Sequence, residues 1–135
     1  MSHQQLFMSW RAGDPQPIPV DTLVAILEHH GCCVSETDKR HLYVSFPVVE
    51  GDSRIGDDGS IIVNDGGALE FGIDRPRYHP EFYALALDLI QHLNLCMFIS
   101  SGEVAFVSHQ DLIAELPEPL AEVACVVESV DDFGI

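Results

Sequence analysis

The sequence predicts an α+β fold, an antiparallel or mixed sheet with two main helices on one face. Three observations carry that expectation: two apolar stripes at helical spacing, several short apolar runs at period two, and turn residues placed to join those runs into hairpins. At 135 residues the chain fits a single globular domain, 1–135, and its 47% hydrophobic content is enough to build a core.

Taken in order, Leu6, Met8 and Trp10 alternate and predict a first strand over 4–11. Asp14-Pro15-Gln16-Pro17-Ile18-Pro19 reads as a rigid connector, because each proline fixes φ and removes a ladder donor. Val20, Leu23, Val24, Ile26 and Leu27 predict a helix over 20–30, with Asp21 in its first turn and Gly31 just past its end. A short strand over 32–35 and a polar turn over 36–39 follow, and Leu42, Val44, Phe46 and Val48 then alternate as a strand. The glycine-rich polar stretch 50–60 reads as an exposed loop, with Asp57-Asp58-Gly59-Ser60 as a turn.

Asp65-Gly66-Gly67 between the apolar runs 61–64 and 68–73 is a strong hairpin signal. Pro80 suits a first helical position, and Phe82, Leu85, Ala86, Leu89, Ile90 and Leu93 form one stripe behind it. A second hairpin is expected over 95–107, turning at Ser100-Ser101-Gly102, then a short helix over 110–116 stopped by Pro117-Glu118-Pro119. The run 123–127 also fits helical spacing, but its β-branched density favours a strand. Ser129 and Asp132 are spaced to cap a final helical turn. In layer order the beginning resembles a ferredoxin-like sandwich with extra hairpin strands.

The charge is lopsided. Asp and Glu number 22 against 6 Lys and Arg, a net charge of −16, and every basic residue precedes Tyr78. Such a surface disfavours binding to nucleic-acid phosphates and to anionic membranes. No basic, apolar leader and no membrane-length apolar run is present, so a cytoplasmic location with reduced cysteines is expected.

Three constellations have chemical potential. Arg75, Arg77, Tyr78 and His79 precede the second main helix, whose free N–H groups favour an anion. His29, His30, Cys32 and Cys33 carry zinc-ligand chemistry, but neighbouring side chains diverge, and a helix end followed by small packing residues explains them better. Asp52, Asp57 and Asp58 miss the spacing of a calcium loop. No nucleophile elbow, phosphate loop or dinucleotide fingerprint occurs, and His41, His92 and His109 are scattered. No cofactor is implied.

The reading that follows is a small acidic, non-enzymatic interaction domain for a basic partner protein. In size, charge and lack of catalytic motifs it resembles the immunity-type inhibitors of bacterial toxins. Asp111, Glu115, Glu118 and Glu122 would form the contact face, with Trp10 or Tyr83 as an aromatic anchor. The alternative is a small ligand-binding or enzymatic domain, open to homodimerisation, with an anion at Arg75 and Arg77.

Overall fold

The computed structural model describes residues 4–50, 53–99 and 101–133. The chain opens with β1 (Gln4–Arg11), β2 (Asp14–Gln16) and α1 (Val20–His29), followed by β3 (Cys33–Asp38), β4 (His41–Ser45), β5 (Val48–Glu50) and β6 (Ser53–Arg54). Next come β7 (Asp58–Asn64), β8 (Gly67–Asp74), α2 (Pro80–Leu93), β9 (Cys96–Ile99) and β10 (Ala105–Val107). Two one-turn helices, α3 (Gln110–Ile113) and α4 (Glu118–Ala121), lead to β11 (Ala124–Val126) and a 3-10 turn at Val130–Phe133.

The fold is α+β, and nine strands make one mixed sheet in the order β11-β10-β9-β1-β8-β7-β4-β3, with β2 paired to the end of β1. β5 and β6 form a separate two-stranded ribbon. Neighbours are antiparallel except β10 and β11, which run parallel with α3 and α4 as their connection. β8 and β9 flank β1 and both oppose it, so α2 makes a crossover between two parallel strands.

β1 serves two apolar clusters. Phe7 stacks on Phe71 of β8 with ring centroids 5.5 Å apart. Around this pair lie Leu23 and Leu27 of α1, Phe82, Leu85 and Leu89 of α2, and Val44, Ile61 and Ile73 of the sheet. Each such side chain contributes roughly 1.5–3 kcal/mol on burial. Trp10 instead joins Phe98, Cys96, Val107, Leu116 and Leu120 in the second cluster. The alternation of Leu6, Met8 and Trp10 therefore marks the face away from the larger core, and Gln5 and Phe7 are the buried residues of β1.

Several elements differ from the sequence expectation. The proline-rich stretch is a connector only in part, because Asp14–Gln16 pairs with β1 and places Pro15 on an edge strand opposite Trp10, where a missing donor is tolerated. The polar turn expected over 36–39 narrows, since β3 continues to Asp38. The strand expected through Val48 ends at Ser45, and Val48 instead opens β5, whose last residue, with β6, falls in the expected loop. The Asp58-Gly59-Ser60 end of that loop belongs to β7, and Asp52 lies outside the described residues. The prolines expected to stop a helix instead start α4, with Pro119 in its first turn. Ser100 of the expected second hairpin turn also lies outside the described residues, while β9 and β10 pair antiparallel as expected.

Gly67 shows why the first hairpin needs glycine there. Its φ is +138°, and a Cβ would lie 2.7 Å from the carbonyl oxygen of Ile18. That carbonyl accepts a hydrogen bond from Ala68 N at 2.8 Å, while Ile18 N donates to Ala68 O at 2.7 Å. Among the described residues no helix is long and apolar enough to cross a membrane.

Candidate functional site

The connection from β10 to β11 holds the acidic group. Asp111 lies in α3, Glu118 in α4, and Glu115 and Glu122 just beyond the two helices. Asp111, Glu118 and Glu122 are exposed. Glu115 is half-buried and structural: its carboxylate accepts from Ala12 N at 3.2 Å and its carbonyl from Gly13 N at 2.9 Å, docking the β1–β2 turn on the end of α3. Leu116 and Leu120 fasten the connection to the second cluster. Among the described residues none of these four carboxylates has a Lys, Arg or His partner within ion-pair distance.

Three of the five arginines, by contrast, are engaged elsewhere. Arg77 Nη1 donates to Asp57 Oδ1 at 2.6 Å, and Arg75 Nη1 stands 3.6 Å from Asp57 Oδ2. The Arg77 hydrogen bond is the main cause that holds the Asp57 carboxyl below its usual range. Arg75 reaches this position from a left-handed backbone, φ +48°, at the bend between β8 and α2. Arg54 donates to the Phe46 carbonyl at 2.8 Å. The two arginines of the sequence-predicted anion group are thus gathered around a carboxylate the protein itself supplies, and an incoming anion has to compete with it. Tyr78 and His79 occupy the entrance to α2, where no side chain caps the helix. Tyr78 donates to Gln5 Oε1 at 3.4 Å, and burial is the main cause that raises its hydroxyl pKa. The Gln5 amide nitrogen is buried with no partner among the described residues.

The two aromatic anchors named from the sequence are not exposed. Trp10 is half-buried against Phe98, and its buried indole N–H has no partner among the described residues. Tyr83 is half-buried between Tyr78 and Phe133. The apolar bulk of each ring drew it into a cluster, and the exposed aromatics among the described residues are Tyr43 and Tyr78.

The His-Cys group divides: the His29 and His30 rings meet edge-to-face with centroids 5.5 Å apart, while the two cysteines differ in burial. Cys32 is buried, and desolvation, with a smaller contribution from Cys33, raises its thiol to about 12; Cys33 is exposed. His30 Nε2 donates to Asp88 Oδ2 at 2.5 Å. His29 lines a groove of about 410 Å³ between α1 and α2 with Thr22, Ile26, Asp88 and His92. His92 Nδ1 donates to the Asp88 carbonyl at 3.0 Å. Among the described residues no group of three or more His, Cys, Asp or Glu is arranged to hold a metal ion. The sequence reading missed Asp88 and His92 as neighbours of His29 and His30, and the only local signal was a carboxylate bordering the buried stripe of α2.

Neither a protein-family model, nor a curated protein, nor a solved structure matches this chain.

Proposed function

We propose that the protein is a small acidic, non-enzymatic interaction domain that docks on a basic partner protein and blocks it, in the manner of an immunity-type inhibitor. One observation carries this reading. Asp111, Glu118 and Glu122 are exposed on one connection of the sheet, with no cation of the chain paired to them among the described residues. Un-neutralised carboxylates on a firmly packed base raise the encounter rate with a cationic surface and repel anionic competitors. Four free thiols suit a cytoplasmic setting. The finer architecture belongs to the same proposal: right-handed crossovers through α1 and α2 would place both helices on one face in a ferredoxin-like arrangement.

The test is affinity recovery from the source cell with the wild type and with Asp111→Asn/Glu118→Gln/Glu122→Gln, which leaves the structural Glu115 intact. A basic protein recovered by the wild type, lost at about 0.5 M salt and lost with the triple variant, supports the reading. Recovery indifferent to both salt and variant overturns it.

A second reading keeps an anion at Arg75 and Arg77 in a ligand-binding, enzymatic or homodimeric domain. The exposure of both guanidinium groups and the lack of a side-chain cap on α2 favour it. Ligand-dependent thermal stabilisation that disappears when both arginines are replaced is its test.

A further inference from the structure

A recess of about 540 Å³ lies between the β3–β4 turn and the β7–β8 hairpin, outside both groups described above. Lys39 and Arg40 line it from the turn, Asp65 from the hairpin, and Ile62, Val63 and Leu69 give it apolar walls. Its frame is fixed by hydrogen bonds. Asp38 Oδ1 accepts from Arg40 N at 2.7 Å and from His41 Nδ1 at 3.1 Å, and Val63 N donates to the Arg40 carbonyl at 2.8 Å. Asn64 Oδ1 closes the hairpin by accepting from Gly66 N at 2.8 Å. A bulge leaves Leu69 outside the regular pairing of β8 with β7, where it joins the lining.

The charges are the informative feature. With 22 acidic residues against 6 basic ones, a pair of adjacent cations should find carboxylates readily, yet Lys39 and Arg40 have no ion pair among the described residues. Asp65 has none either, although it lines the same recess. Opposite charges therefore share one apolar-walled recess without contacting each other. A ligand carrying both signs would satisfy both, and zwitterionic neutrality spares it the repulsion that a net charge of −16 exerts on a simple anion. The recess is also at the β3 end of the sheet, with the acidic connection at the β11 end. From β11 to β7, the strand that lines most of the recess, is five strand spacings, roughly 24 Å and about three screening lengths at physiological salt.

We infer that this recess binds a free α-amino acid with a bulky apolar side chain: carboxylate toward Lys39 and Arg40, ammonium toward Asp65, side chain against Ile62 and Leu69. The experiment is a titration of the ¹⁵N-labelled protein with L-leucine, read by amide shifts. Saturable shifts confined to 38–41 and 62–70 are expected, weakened about tenfold in Lys39→Gln/Arg40→Gln and in Asp65→Asn. N-acetyl-L-leucine, which lacks the ammonium, and glycine, which lacks the apolar side chain, should each bind about tenfold more weakly than L-leucine. The inference is overturned by the absence of saturable shifts, by shifts centred elsewhere, by variants that bind as the wild type does, or by equal binding of either analogue.

Discussion

His30 and Asp88, 58 positions apart, tie the end of α1 to the middle of α2 through a 2.5 Å hydrogen bond from Nε2 to Oδ2. The imidazole is 18% exposed and the carboxylate 36%, so water screens the pair only in part. Asp88→Ala leaves the half-buried imidazole without its acceptor. The expected cost is about 1 kcal/mol, seen as a fall of ~4 °C in Tm and a lower urea midpoint with unchanged slope. Asp88→Asn keeps an acceptor oxygen and should lose less. Equal midpoints for the wild type and Asp88→Ala would show that helix packing alone sets this interface.

Thiol reactivity should divide the cysteines into two pairs. Cys33 and Cys125 are exposed, whereas Cys32 and Cys96 are buried, with desolvation the main cause raising each of these two thiols to about 12. The thiolate is the reacting form, so at neutral pH a mild alkylating reagent should label Cys33 and Cys125 and spare the other two. Denaturant should release them, and mass spectrometry of digests reads both steps. Rapid labelling of Cys96 in the folded protein would contradict its place in the second cluster.

The junction of Arg75 and Arg77 with Asp57 makes a signed acid-stability prediction. The folded-state pKa of Asp57 lies below its unfolded value, with the Arg77 hydrogen bond as the chief cause. Its contribution is therefore present above the unfolded pKa and disappears as pH falls through the folded one. Asp57→Asn should be slightly less stable than the wild type at pH 7, and the gap should close on acidification. The effect is small because the group is solvent-screened. A gap that widens toward low pH would mean that the arginines are held by something other than this carboxylate.

Local chemistry was what the sequence made legible. β1, α1 and α2 follow from periodicity with proline and glycine at their ends, and the β7–β8 hairpin follows from Asp65-Gly66-Gly67. What stayed hidden depends on distant partners. Pro15 enters a strand because β1 offers it an edge, and β6, in a stretch whose composition reads as loop, is a strand because β5 pairs with it. The acidic connection was visible as composition, but its support through Glu115 and the backbone of Ala12 and Gly13 spans about a hundred residues. Burial of Trp10 could not be read from its own segment, since the cluster it joins draws Leu116 and Leu120 from α3's exit and α4.

Glu70 offers the opposite pH sign. It sits on β8 opposite Ile62 of β7, half-buried, and desolvation raises its carboxyl above the usual range. A group whose folded pKa is raised contributes stability below its unfolded pKa and loses it as pH climbs through the folded value. Above that folded value the chain holds an ionised carboxylate in a position that favours the neutral form. Glu70→Gln removes the charge while keeping the shape, so it should raise the urea midpoint modestly at pH 7 and leave it nearly unchanged near pH 3, where the wild-type carboxyl is protonated. In a protein with net charge −16 the loss of one carboxylate also relieves general repulsion. Glu103→Gln, at an exposed position, is the control for that contribution. A gain at pH 7 no larger than the control's would place the penalty in the overall charge and not in the burial of Glu70.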